Sequence, residues 1–173
     1  ANTEDLDNPC EYGTPGCMDE TACNYNADAT ADDLSCTYAV APFDCDGNCA
    51  NGGDAVTLNL YDSWGDGWFD HSIEINGESY TIDDAATASF AVCVDLATCV
   101  DVTFLASGSW ASECSWDITD AGGAVLVAGG AESGFVGTCV GGCTDETAFN
   151  YSADADYDDG SCVAVVLGCM DDQ

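Results

Sequence analysis

One 21-residue unit occurs twice in this chain, and each copy is bracketed by two cysteines nineteen residues apart. Gly16–Cys36 reads GCMDETACNYNADATADDLSC and Gly142–Cys162 reads GCTDETAFNYSADADYDDGSC; the copies agree at 15 positions and are offset by 126. A unit this short, with so few apolar side chains, cannot hold its shape by burial, so a covalent staple has to do it. Cys17 with Cys36 and Cys143 with Cys162 are the expected staples, each worth about 3 kcal/mol in the chain-entropy treatment. Internal repeats decide architecture before any strand or helix is assigned. Small modules flanking something larger are the first expectation.

The ends carry fragments of the same unit. Gly168–Gln173, GCMDDQ, matches its opening, and ANTEDLDNPC at residues 1–10 matches its close. Joined, the two make a complete though shorter unit. The expected consequence is a head-to-tail line of copies, with Cys169 of one beside Cys10 of the next. A segment cut from an ordinary tandem-repeat protein is the alternative.

Charge narrows the partners. The chain has 33 Asp plus Glu, one His and neither Lys nor Arg among 173 residues, where charged residues of both signs ordinarily make up about a quarter. No side-chain salt bridge can form except through His71. Without cations to hold phosphate, nucleic acid is excluded as a partner and so are anionic membrane surfaces. A formal charge of −33 favours disorder, but hydrophobic residues are 47% of the chain, enough for a core. Bound cations, screening and staples have to offset the self-repulsion.

Thirteen cysteines without a paired CxxC spacing point to disulfides, an oxidising compartment, and an extracellular or cell-surface location. The longest apolar run near the end, Val163–Leu167, is far too short to insert into a membrane.

Along the chain the expected organisation is a half-unit at 1–15, a module plus the DCDGNC segment at 16–53, and strands at 54–140. A second module follows at 141–163, then a linker and half-unit at 164–173. Within 54–140, Val56, Leu58 and Leu60 alternate, and Ile73 with Ile75 and Tyr80 with Ile82 flank Asn76-Gly77, a strong hairpin dipeptide. Phe90, Val92 and Val94, then Val100, Val102 and Phe104, then Trp116 and Ile118 continue the pattern. Gly122-Gly123 turns the chain into Ala124–Val127. Seven or eight short strands without helical period predict an all-β fold, an antiparallel β-sandwich of jelly-roll type flanked by small disulfide-stapled acidic modules.

Inside the sandwich the expected disulfides are Cys93–Cys99 and Cys114–Cys139. Cys45 and Cys49 can close the DCDGNC turn, with Cys23 or Cys10 as other partners. Cys23 has Phe149 as its counterpart in the second unit and looks unpaired. An odd total means that one thiol per period is left over.

Calcium is the expected cofactor. Asp28, Asp32 and Asp33 match Asp154, Asp158 and Asp159, and Asp156 adds a further carboxylate before the Gly160 turn. Alternating carboxylates on a tightly curved loop suit an ion that takes six to eight oxygens. A second candidate is the corner Asp62–His71, DSWGDGWFDH, where Asp62, Asp66 and Asp70 can converge on an ion or a glycan, with Trp64 or Trp68 as stacking face. The structural alternative has the tryptophans capping the core. His71 should hold its proton firmly among so many carboxylates. Asn150-Tyr151-Ser152 is the single N-x-S/T sequon, making Asn150 the candidate glycosylation site. No nucleophile elbow, phosphate loop or zinc signature is present, and no catalytic residue or enzyme activity is assigned.

The units resemble the Cys- and Asp-rich "GC-x-D-x-x-A-x-N-Y…DDGSC" tandem repeats of large secreted and surface proteins of environmental bacteria. DCDGNC and DSWGDGW also look like their companions. Leu34 departs from the pattern that Gly160 keeps. The resemblance implies export and a fibrous or adhesive role. The expected function is therefore one period of an extracellular fibre, its partner a further copy of itself; the alternative is a glycan-binding module of a giant adhesin.

Overall fold

The computed structural model describes residues 13–166 and divides the chain into two compact units, with the boundary at Ala50/Asn51. Cys10 and Cys169, the expected junction, lie outside the described residues.

In the first unit, strand β1 (Pro15–Gly16) pairs in parallel with β2 (Ala31–Asp32). The Cys17–Cys36 bond closes the module, whose only buried apolar side chains are Cys17, Ala22 and Ala29. Hydrogen bonds supply the rest. Thr30 N–H donates to the Thr14 carbonyl at 2.9 Å, and Thr14 N–H returns to Thr30 Oγ1 at 2.8 Å. Asn24 straps the loop, giving Nδ2–H to the Ser35 carbonyl and taking the Thr37 N–H on Oδ1. Cys23 bonds Cys45, so the segment carrying DCDGNC is stapled to the module. Cys23 is therefore paired, and the Cys45–Cys49 turn closure is not formed; Cys49 is disulfide-bonded as well. The extra cysteine belongs to the module that this segment follows.

Asp32 Oδ1 accepts the Leu34 N–H at 2.9 Å, and this turn drives Leu34 to φ 61°, with its side chain 89% exposed. Gly160 holds the same place in the second module at φ 78°. A side chain in this left-handed region costs about 1–2 kcal/mol. Leu34→Gly should therefore stabilise the first module by about 1 kcal/mol and Gly160→Leu should weaken the second by a similar amount. Denaturant melts of both variants, read by amide exchange within each module, check the pair.

The second unit contains the sandwich. Its strands are β3 (Asp54–Asp62), β4 (Ser72–Ile75), β5 (Glu78–Tyr80), β6 (Thr87–Val94), β7 (Cys99–Leu105), β8 (Cys114–Thr119), β9 (Val125–Gly129) and β10 (Gly134–Gly137). They form two antiparallel sheets of four, ordered β6-β3-β8-β9 and β10-β7-β4-β5. Asn76 and Gly77 make the β4–β5 turn, both at positive φ, as a tight hairpin of matching twist requires. Alternation sends Val56, Leu58 and Leu60 of β3 and Trp116 and Ile118 of β8 inward. There they meet Ile73, Ile75, Val102 and Val136 of the other sheet. The outer face of β3 is polar: Asn59 Nδ2–H and Tyr61 Oη–H each donate to Asp117 at 2.8 Å. Trp116 packs flat because Gly129 and Gly134 leave room, and a Cβ at Gly129 would come within 2.8 Å of its ring.

Strand β10, four residues with glycine at both ends, carries no strand signal in the sequence, and it rearranges the disulfides. Pairing with β7 sets Gly137 opposite Cys99, which delivers the next turn's Cys139 to Cys99. The expected Cys93–Cys99 and Cys114–Cys139 pairs are thus both replaced. Cys93 is itself disulfide-bonded, and Cys114 is a buried free thiol. Burial, seconded by the Asp62 and Glu113 charges, pushes that thiol up to about 11, so it is inert at neutral pH.

The second module repeats the first module's closing staple, strand pair and Asn strap. Strand β11 (Gly141–Gly142) pairs in parallel with β12 (Tyr157–Asp158), and Cys143–Cys162 closes the loop. Asp156 and Val140 exchange the same reciprocal pair of bonds as Thr30 and Thr14. Tyr157 stacks on Phe135 of β10 at 4.5 Å, fastening this module to the sandwich.

Candidate functional site

The corner after β3 is built around Asp62. Strand alternation puts residue 62 on the same inward face as Val56, Leu58 and Leu60, so its carboxylate enters the sandwich rim and is only 5% exposed. It is then used up locally. Asp62 Oδ2 accepts the N–H of Asp66 and of Gly67, both at 2.8 Å, and Oδ1 accepts the N–H of Trp64 at 3.2 Å. Burial alone would raise its pKa, but the backbone donors of Trp64, Gly67, Asp66 and Gly65 outweigh it and hold the carboxyl below its ordinary value. A depressed pKa contributes stability above the unfolded value, about 3.8, and loses it as pH falls through the folded one. Asp62→Ala should cost about 3 kcal/mol at pH 7 by orphaning three N–H donors. Below both pKa values the gap between variant and parent should shrink. Denaturant melts at neutral and strongly acid pH measure both quantities.

The two tryptophans of the corner part company. Trp68 is 1% exposed, donates Nε1–H to the Tyr61 carbonyl at 2.9 Å and meets Phe104 edge-on at 5.8 Å. It caps the core and cannot stack on a ligand. Trp64 is 78% exposed. Together with Phe69, Trp110, Asp66 and Glu113 it lines a cleft of about 290 Å³.

His71 anchors the segment that carries Trp110. Its ring is 1% exposed, with Nδ1 accepting the Ser107 N–H at 2.9 Å and Nε2 lying 2.9 Å from the Ser109 carbonyl. With Nδ1 taken up as an acceptor, the Nε2–H is the donor that faces the Ser109 carbonyl. His71 thereby ties the corner to the 106–110 segment, which hands Trp110 to the cleft in a left-handed conformation, φ 78°. Ser63 N–H donates to the Glu113 carbonyl at 3.1 Å and ties the corner to the following 3₁₀ turn, Ala111–Glu113.

Among the described residues, one group of three acids has carboxylate oxygens mutually within 4.8 Å: Asp62, Asp66 and Glu113. Register explains it, since Asp62 lies opposite Cys114 across the β3–β8 ladder. Glu113, which the spacing along the chain did not suggest, takes the place expected for Asp70. Asp70 lines a second pocket with Phe69, Thr81, Ile82 and Asp83.

The module acids do not gather into such a group. Asp158 Oδ1 accepts the Gly160 N–H, Asp159 Oδ1 the Ser161 N–H and Asp156 Oδ2 the Val140 N–H. Asp32 and Asp33 cap Leu34 and Ser35 likewise. Side-chain and backbone donors of Ser161 and Ser35 hold Asp159 and Asp33 below the ordinary carboxylate range. Asp28 and Asp154 cap no turn in this way. As folded, these loops are capped turns and not a ready-made ion cage. Asn150 repeats the strap made by Asn24, with Nδ2–H on the Ser161 carbonyl and Oδ1 receiving the Val163 N–H, each at 2.7 Å. Asn24 lies in no sequon, so the strap accounts for this asparagine without sugar.

Fold and bonds define a class: an antiparallel β-sandwich protein, rich in disulfides, with small stapled modules, made for an oxidising environment. Compared with protein families, curated proteins and solved structures, the chain finds no match. No helix among the described residues is long and apolar enough to cross a membrane.

Proposed function

We propose that this chain is a structural subunit of an extracellular bacterial fibre, one period of a line joined head to tail through a split Cys-rich unit. The observation that carries the reading is the module repeated at an offset of 126 residues with the same staple, straps and turns. Arrays of this kind gain stability from each neighbour they add. The Phe135–Tyr157 stack supports it by coupling one module to the sandwich, as a line under tension needs. The tests are electron microscopy of native material and a non-reduced peptide map. Regular filaments whose repeat is near the length of one copy, with a Cys10–Cys169 cross-link between copies, are expected. The map uses an Asp- or Glu-specific protease, since trypsin has nothing to cut. A monodisperse monomer with both cysteines paired inside one chain would sink the reading.

Calcium enters this proposal as a shared neutralising ion, drawn to carboxylate oxygens that the turn caps leave over. Copies near −33 repel one another across a Debye length of about 8 Å at physiological salt, and no lysine or arginine offsets that. Exhaustive chelation at low ionic strength should shorten the fibre and lower its melting temperature, with the sandwich intact. Filament length and calorimetry before and after chelator decide it; no change in either removes calcium from the account.

A further inference from the structure

The cleft between the corner and the 3₁₀ turn does not follow from the fibre role, and its composition is unlike the rest of the surface. The chain has four tryptophans. Trp68 and Trp116 are in the core; Trp64 and Trp110, 78% and 63% exposed, both line this one cleft, with the half-exposed Phe69 between them in sequence. Phe69 and Trp110 also hold positive φ, so the backbone presents these rings from strained positions. Aromatic surface that is left in water at such a cost ordinarily marks a contact.

The polar groups say what kind. Asp66 and Glu113 line the same cleft, and among the described residues neither carboxylate accepts a hydrogen bond from the protein. Asp62, the third acid nearby, already has both oxygens taken by backbone N–H groups. Two remaining carboxylates fall well short of the six to eight oxygens of a calcium site. An anion is repelled, and a neutral sugar would stack on the rings but leave the charge uncompensated. Burial first, and the charges of Asp66 and Asp62 second, hold the Glu113 carboxyl above its ordinary value, while the clustering of the three acids within 4.8 Å sets like charges side by side. No side-chain cation of a second copy can relieve it, because the chain has no Lys or Arg.

We propose that the Trp64–Phe69–Trp110 cleft, with Asp66 and Glu113 at its edge, binds an organic ammonium group. The rings offer their negative faces to the cation, and the carboxylates supply the counter-charge and accept from any N–H it carries. A free small amine and a lysine side chain of a partner protein present the same chemistry.

The test is a titration of the intact chain, read by tryptophan fluorescence at constant ionic strength. Tetramethylammonium and lysine amide are the ammonium probes; cellobiose and calcium chloride are the competing classes. Saturable binding of an ammonium probe is expected, weakened about tenfold or more by Trp64→Ala, by Trp110→Ala and by Glu113→Gln. Trp64 is largely exposed, and Glu113, though partly buried, keeps its shape as glutamine, so those two variants should melt like the parent and remain informative if Trp110→Ala does not fold. Tetramethylammonium binding as well as or better than lysine amide points to a free quaternary amine, and the reverse order to a lysine side chain. Saturation by cellobiose with no response to either ammonium probe would overturn the proposal in favour of a sugar platform. Calcium binding that is lost in Glu113→Gln but kept in both tryptophan variants would overturn it in favour of a metal site, and no binding of any probe overturns it outright.

Discussion

Replacing Cys143 and Cys162 together by serine should unfold the second module while the sandwich stays folded. The staple closes a loop of 19 residues' separation, worth about 3 kcal/mol. Little else opposes its loss, because Cys143 is the module's one buried apolar side chain among the described residues. Its turn caps are exposed hydrogen bonds, each contributing about 1 kcal/mol or less. Native-state amide exchange reads the outcome directly. The N–H groups of Phe149 and Ser152, which donate to Val163 and Cys143 carbonyls, should lose protection, while those of Leu58 and Ile118 in the β3–β8 ladder should keep it. Persistent protection at 149 and 152 would mean that Tyr157 docking on Phe135 suffices, and the staple argument fails.

Trp68→Ala should lower the melting temperature of the sandwich by about 15 °C or more, whereas Trp64→Ala should move it by a degree or two at most. Removing a fully buried indole costs about 3–5 kcal/mol, a large share of the 5–15 kcal/mol that holds a domain together. Each kcal/mol shifts a domain of this size by about 4–8 °C. The Phe104 contact and the Tyr61 carbonyl's bond to Nε1 go with it. Trp64 has 78% of its surface in water and little to lose. Two tryptophans four residues apart thus make an internally controlled experiment, read by calorimetry. Equal shifts would overturn the assignment of Trp68 to the core.

Period-two alternation was plain in β3, β6, β7 and β8, because their inward residues are Val, Leu, Ile and Trp and their outward ones polar or small. The hairpin at Asn76-Gly77 announced itself through a dipeptide that tolerates positive φ. The repeat announced the modules and their staples, since a loop with no core has few other ways to persist. Even the anomaly at Leu34 was visible as a departure from Gly160. The other disulfides were not legible. Cys99 has cysteines at 93 and 114 nearer along the chain than its partner at 139, and only the β7–β10 pairing, through a four-residue strand flanked by glycines, brings 139 to it. Cys114, an expected disulfide partner, is a free thiol among the described residues, on the face of β8 that alternation turns into the core.

The corner divides the same way. Its residue types, acids and tryptophans spaced by glycines, marked it in the sequence, and Asp62 and Asp66 do come together. Which tryptophan serves the core and which the solvent depended on where the chain leaves β3. The third acid depended on the β3–β8 register, which sets Asp62 opposite Cys114 and so brings in Glu113 from more than forty residues away. Local pattern and covalent necessity act over a few residues, so elements, turns and module staples could be written from the sequence alone. Pairing of distant strands is settled by the burial of a shared core, an energy spread over the whole sandwich. The sandwich disulfides, the buried His71 bridge and the aromatic cleft exist only once that core has formed.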